Sequence, residues 1–457
     1  MLDYDLVIIG GGIAGRYAAA TAVTQKARVA LVEFGVTPAD DALYSRSLLH
    51  YSQRGDSWED AIAQAHHNVA TFTQENSLDT LAILGVDVIR GQGEFCRLPQ
   101  QAFIINHRRL RSRSYLLATG SRFTPLSLST DIPLKTLTPP DLWQISHLET
   151  LPDEIVILGS RPLALEIAQI LTRFGKKVTL AVADSSLLPL EDPEIVRWLQ
   201  AHLEAQGIQI LTHSPINQVQ IIDNQPWLQL GDTAIEASCV IVASETHPHI
   251  EGLNLAGVGI KLHQKQLLLN EKLQTANRQI YACGSLGGGY AFPHLAQAEA
   301  TVALKNALFW ARFKMDYRPI PWAIFTEPNF AAVGLSEVQA RRRYGKHILV
   351  IRHFFKQNAQ AIITEANDGF IKLILHENGE ILGARILGRD GADIINLLAL
   401  GIQQRLKIQQ LAKLSAIAPS LGAILPEAAI AYQQTQSRST LPTLRQEWYR
   451  FCRRFLS

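Results

Sequence analysis

Apolar residues near the start of the chain come in short unbroken runs separated by a helical repeat. Tyr4 to Ile9, YDLVII, is too short for a helix and has no polar alternation, so it predicts a strand buried on both faces. An alanine-rich helical stretch follows, and then a second run, VALVE, ending at Glu33. Strand, helix and strand in that order predict a βαβ unit on a parallel sheet. Beyond Ile320 the pattern changes: GFIKLIL and EILGARILG flank Asn378-Gly379, the strongest short hairpin signal, and predict antiparallel pairing. Near the C-terminus Leu444, Trp448, Phe451 and Phe455 fall at helical spacing, with Arg445, Arg450, Arg453 and Arg454 mainly around the other sides. That is a short cationic, aromatic, amphipathic helix.

The glycines between the first strand and helix turn this unit into a nucleotide site. Gly10-Gly11-Gly12-Ile13-Ala14-Gly15 is a GxGxxG fingerprint in full context. Gly10 allows the tight turn, Gly12 lets backbone approach a pyrophosphate, and Gly15 brings the helix close to the strand. The helix N-terminus then faces the phosphates. Glu33 ends the second strand where a carboxylate can take both ribose hydroxyls and repel a 2′-phosphate.

Composition narrows the classes. The chain has 457 residues, 47% hydrophobic and 18% charged, ordinary globular content sufficient for about three domains. A net charge of +2 leaves no polyanion footprint, so nucleic acid is not an expected partner. Four cysteines, Cys96, Cys239, Cys283 and Cys452, lie far apart without metal-ligand spacing, and no HExxH occurs, so neither a disulfide framework nor a metal site is expected. No leader and no long apolar span are visible, which predicts a cytoplasmic protein.

The order of the motifs identifies a resemblance. Ser45-Arg46-Ser47-Leu48-Leu49-His50 resembles the S-K-A-L-L-H of the pyridine nucleotide-disulfide oxidoreductases, such as dihydrolipoamide dehydrogenase and mercuric reductase. Gly93 in GQGEF, Ala118-Thr119-Gly120-Ser121, and TANRQIYACGS from Thr275 through Gly284 to Ser285 resemble the family's further FAD contacts, in order. His294, in AFPHLAQAEA, opens a helix resembling one whose N-terminus faces the flavin pyrimidine, and is equally read as a helix-start residue satisfied by backbone. EIVILGSRPLALEIAQ from Glu154 resembles the NAD(P)H-binding βαβ, and IPWAIFTEPNFAAVG from Ile320 the dimerisation domain. The implied fold is α/β, with two Rossmann-like FAD/NAD(P)-type domains plus an α+β dimerisation domain. Its expected parts are FAD-binding 1–150, a degenerate NAD(P)-binding-like domain 151–270, FAD-binding 271–318, dimerisation 319–435 and a basic amphipathic tail 436–457. FAD is the implied cofactor, and a homodimer through 319–435 the implied assembly.

The same register exposes departures. Thr37 and Ala42 stand where the family has its two redox cysteines, and Ala418 and Ala423 where it has the histidine and glutamate lent to the partner's active site. Ser285 replaces the aspartate that holds the ribityl chain: a hydroxyl still hydrogen-bonds but carries no charge. In the second fingerprint Gly159, Pro162, Ala164 and Glu166 match, but the central glycine is Arg161. Its side chain either blocks the pyrophosphate or itself grips a phosphate, and both readings stay open. Val182 occupies the place of the ribose-binding acid, and Ala243 to His249 has lost the A-T-G-R-x-P-N pattern, so NAD(P) binding is doubtful. The resemblance also pairs Arg46 with Glu166 beside flavin N5, where a guanidinium either stabilises reduced flavin or is half of a buried structural ion pair.

These residues predict a FAD-binding homodimer that has lost NAD(P)H-dependent disulfide reduction and has a redox-sensing or assembly role. Two alternatives stand beside it. One is an oxidoreductase without a redox disulfide, passing electrons from flavin directly to a small acceptor; the other is a cofactor-free scaffold recruited through its C-terminal helix. That helix has three candidate destinations: its own subunit, an anionic membrane surface that would make the protein membrane-peripheral, or a groove on a partner protein.

Overall fold

The computed structural model describes residues 2–33, 40–74, 77–126, 134–223, 225–244, 246–264, 266–439 and 444–455. It divides into two compact units, one of residues 1–189 and 203–316, the other of 190–202 and 317–457.

The first unit carries two five-stranded parallel sheets. In the first, strand β1 (Tyr4–Ile9) lies between β2 (Val29–Glu33) and the strand Ser112–Leu117, flanked outside by Asp87–Arg90 and Ile280–Ala282. Leu6, Val7, Ile8 and Ile9 are fully buried, as an unbroken apolar run on a sheet covered on both faces requires. Helix α1 (Ile13–Thr24) lays Ala14, Gly15, Ala18, Ala19 and Ala22 on this sheet, and side chains that small allow a close approach. The second sheet repeats the arrangement, with Glu154–Leu158 between Lys177–Ala181 and Cys239–Val242. Its edge strand is Lys135–Leu137, so this module begins ahead of residue 151. At its other end, Leu253, Leu255, Val258, Ile260 and Leu267 pack into the core of the first sheet, ahead of residue 271.

In both sheets the chain crosses from one side of the central strand to the other. The crevice at the carboxyl ends of the strands, at that switch point, is where open α/β sheets take ligands. Each glycine fingerprint sits at such a point.

The second unit is a five-stranded antiparallel sheet ordered Trp322–Ile324, Asn329–Gly334, Ile381–Gly388, Phe370–His376, Ile348–Phe354. The expected Asn378-Gly379 hairpin joins its strands, and Gly379 has φ +89°, a left-handed conformation costly for a residue with a Cβ. Residues 190–202 belong here, although in sequence they fall inside the expected 151–270 domain. Charge explains why. Lys372 has only 2% of its side chain exposed and lies 2.8 Å from Glu337, 3.1 Å from Glu194 and 3.4 Å from Asp192. Arg385, equally buried, donates to Glu191 at 2.6 Å. Two cations on the sheet face are thus neutralised by carboxylates of the 190–194 segment, since buried charges are tolerated only when paired.

The C-terminal segment forms the expected helix, Leu444–Phe455, with Trp448, Tyr449 and Phe451 exposed. Among the described residues, no helix is long and apolar enough to cross a membrane.

Candidate active site

The first fingerprint is built as its glycines demand, and each has a different neighbour. Gly10 has φ +120°, and a Cβ there would lie 2.2 Å from the carbonyl oxygen of Ala118. A Cβ at Gly15 would lie 1.8 Å from the carbonyl oxygen of Gly10. Gly12 is different: a Cβ there would meet no protein atom within 4 Å. Packing accounts for the first two glycines but not for Gly12, which leaves backbone open to a ligand at the N-terminus of α1, where Ile13 and Ala14 begin the helix. Glu33 reaches back over this loop, so that a Cβ on Gly11 would lie 3.2 Å from its Cγ. Two arginines unremarked in the sequence steady the carboxylate: Arg90 Nε at 3.3 Å and Arg16 at 3.8 Å, the latter also donating to Gly11 O at 2.6 Å.

The remaining expected flavin contacts divide. Ala118, Thr119 and Gly120 lie at the end of Ser112–Leu117, beside Gly10, and are locked to His249: Thr119 Oγ1 donates to its carbonyl at 2.5 Å and its amide donates to Gly120 O at 2.8 Å. Gly284 converges on α1 and the helix Pro293–Leu308, a Cβ there meeting Ala296 at 3.5 Å and Ala14 at 4.0 Å. His294 is the second residue of that helix. Gly93 has a structural reason of its own, since a Cβ there would come within 2.4 Å of Ile104 O on the adjacent strand.

Ser285, where the resemblance expects an aspartate, has a neighbour that its own motif does not reveal. Glu299, two helical turns into Pro293–Leu308 and buried, accepts the Gly284 amide at 2.6 Å. A carboxylate therefore stands behind the Ser285 turn, contributed from another element. Beside it, burial pushes the Cys283 thiol up, helped by Glu299, and keeps it protonated and unreactive. All four cysteines are free.

The segment matched to the redox thiols opens helix α2 (Asp41–Gln53). Thr37 lies outside the described residues, while Ala42 is in the first turn of α2. Its neighbours are acidic. Asp40 caps the helix by accepting the Leu43 amide. Asp41 accepts Trp143 Nε1 at 2.7 Å, and burial, with the adjacent Asp40 charge, pushes its carboxyl up to about 7 against that hydrogen bond. Tyr44 stacks on Trp143 with ring centroids 5.7 Å apart and planes 7° from parallel, and its hydroxyl meets His66 Nδ1 at 2.8 Å. This group of Asp41, Tyr44, His66 and Trp143 is gathered from three parts of the chain.

The residues of the expected Arg46–Glu166 pair differ in burial. Buried Glu166 accepts a hydrogen bond from Ser45, one residue earlier, whereas Arg46 lies on the exposed side of α2.

The second fingerprint keeps its turn but not its opening. Gly159 has φ +139°, and a Cβ there would lie 2.8 Å from Ala243 O, matching the relation of Gly10 to Ala118. Where Gly12 is open, Arg161 extends a side chain that donates to Gly289 O and lies 5.8 Å from the Tyr290 ring centroid. Val182 is buried, as its apolar character requires, but Asp184 two residues on accepts Ser160 Oγ at 3.3 Å. An acid is therefore present at this loop, displaced along the chain from its expected place.

In the second unit, Ala418 and Ala423 flank a turn whose Ser420 carbonyl accepts Asn358 Nδ2 at 3.0 Å. The same amide is 3.2 Å from both Glu427 oxygens, and Glu427, one helical turn beyond Ala423, lies 3.6 Å from Nε2 of His353 on the strand Ile348–Phe354. Among the described residues, no group of histidine, cysteine and carboxylate side chains could hold a metal ion.

Two family profiles account for nearly all of this architecture: pyridine nucleotide-disulphide oxidoreductase over residues 4–300, and the dimerisation domain of the same family over 320–429. The chain belongs to the pyridine nucleotide-disulphide oxidoreductase family. Similar members include a mercuric reductase of Streptomyces lividans, 30% identical with 90% of this chain and 92% of the relative covered, and a dihydrolipoyl dehydrogenase of Synechocystis sp., 29% identical with 93% and 98% covered. Among solved structures, the HOCl-induced flavoprotein disulfide reductase RclA of Escherichia coli superposes with a TM-score of 0.82 at 24% identity, over 94% of this chain and 100% of that one. Members of the family are FAD-binding flavoproteins that use NAD(P)H. The likeness to RclA shows the fold.

Proposed function

We propose that this family member is a FAD-binding homodimer that has left NAD(P)H-dependent disulfide reduction and acts as a redox-sensing or assembly component. The observation that carries the reading is the contrast between two sites. Gly12 offers open backbone at a helix N-terminus, with Glu33 held over the loop, while the place of the second thiol is Ala42 beside Asp41. FAD, when bound, would supply two-electron redox chemistry; Gly10 to Gly15 would take its pyrophosphate and Glu33 its adenosine ribose. The turn Gly284–Ser285, backed by Glu299, would face the ribityl chain. The Pro293 helix would present its positive end to the flavin's pyrimidine edge and favour an anionic reduced form. No dithiol stands between flavin and acceptor in this scheme.

A second reading, direct electron transfer from flavin to a small acceptor, is favoured by the buried Glu166, which Ser45 holds in place. One spectroscopic experiment addresses both. The purified protein is expected to be yellow, and its flavin band to survive NADH and NADPH. A colourless native preparation, or rapid bleaching by either nucleotide, overturns the proposal. Bleaching by dithionite followed by fast reoxidation with a quinone favours the second reading.

A further inference from the structure

The second fingerprint retains the backbone of a phosphate loop and places an arginine where the first has open space. The Arg161 side chain does not hang free. Its guanidinium donates to Gly289 O and lies 5.8 Å from the centre of the Tyr290 ring, a cation–aromatic distance. Tyr290 meets Phe292 edge-on, at 5.6 Å and 64°. Phe292 in turn stacks on His294, at 5.6 Å and 22°. His294 lies in the first turn of the helix Pro293–Leu308, the helix whose start is assigned above to the flavin's pyrimidine edge. Arginine, tyrosine, phenylalanine and histidine thus form a continuous ladder from the second phosphate loop to the flavin end of the first module.

We propose that Arg161 and this ladder are a latch that closes the second fingerprint to pyridine dinucleotides, so that Arg161 determines nucleotide exclusion. A dinucleotide held there would lay its pyrophosphate over the N-terminus of Pro162–Arg173, where the Arg161 side chain emerges. To reach the flavin its nicotinamide would have to cross toward the Pro293 helix, along the line the ladder occupies. The rest of the loop still suits a nucleotide: Gly159 keeps its turn, and Asp184, accepting Ser160 Oγ at 3.3 Å, is a carboxylate for ribose hydroxyls that would repel a 2′-phosphate. An opened site would therefore take NADH in preference to NADPH. The position of the flavin in this account rests on the proposed function; the closing of the fingerprint does not.

The test is calorimetric titration with NADH of the full-length native protein, R161G and Tyr290→Ala, with NADPH as control, since a binding isotherm does not depend on flavin reduction. R161G is expected to bind NADH about tenfold or more tighter than wild type, Y290A to fall between them, and NADPH to bind weakly throughout. The latch is overturned if R161G and Y290A bind NADH no tighter than wild type. It is equally overturned if R161G binds more weakly, because the guanidinium then holds phosphate. Y290A keeps the test decisive should R161G fold poorly. Tight NADH binding by R161G in a colourless preparation would sustain the latch and sink the flavoprotein reading; no binding by any variant of a yellow protein would do the reverse.

Discussion

Asp41 opens helix α2 beside Ala42, and its protonation has a measurable consequence. Its carboxyl is the first in helix α2, accepts Trp143 Nε1 at 2.7 Å, and is raised by burial from an ordinary 3.8 to about 7. A folded-state pKa above the unfolded value means that the native protein binds a proton the unfolded chain releases. Stability contributed by this group is therefore fully present below pH about 4, is lost as pH rises toward about 7, and is level above that. Three pKa units at about 1.4 kcal/mol each set the total at roughly 4 kcal/mol. Of this, about 2 to 3 kcal/mol falls between pH 5 and pH 8. Asp41→Asn keeps an acceptor for Trp143 and removes the titration. Denaturant unfolding of both proteins at pH 5, 6, 7 and 8 should show the variant gaining on wild type steadily with pH, by about 2 to 3 kcal/mol across the range. Groups common to both proteins cancel in the difference. Parallel stability profiles would refute the assignment of a buried, proton-holding carboxyl at this position.

Other outcomes follow from packing and charge. Lys372→Met leaves Glu337, Glu194 and Asp192 facing one another without their shared cation and should destabilise the C-terminal unit by about 3 to 5 kcal/mol in urea unfolding, with partial recovery on adding Glu337→Gln; an unchanged midpoint would show that the network is not tightly held. Gly15→Ala places a methyl 1.8 Å from Gly10 O, which must push α1 off the sheet, so the purified protein should lose its flavin band and melt earlier. Retention of full colour by this variant would mean that the fingerprint does not hold the flavin.

Much of the fold is legible in the sequence, because βαβ units and hairpins are written in local patterns. Buried runs such as YDLVII, a glycine at each obligatory close approach, and Asn378-Gly379 between two apolar segments each depend on neighbours a few residues away. The parts of the site that were not legible come from elsewhere in the chain. Glu299 behind the Ser285 turn, Trp143 on Asp41, His66 on Tyr44 and Asp184 on Ser160 carry no motif, since nothing in their own neighbourhoods marks them as facing a distant loop. Ser45, which meets the buried Glu166 carboxylate contributed by a distant helix, carries no such mark either.

By itself the sequence determined that this chain has two nucleotide-type modules and a dimerisation domain, that its first fingerprint is intact, and that its four cysteines lie far apart along the chain. Those properties reside in residue identity and spacing, which need no third dimension. Tertiary structure decided which side chains meet across distant segments. Whether Arg161 reaches Gly289, whether Asp41 is dry enough to keep a proton, and whether residues 190–194 neutralise Lys372 and Arg385 all depend on distances between segments far apart in sequence, where Coulomb attraction and desolvation act on position alone.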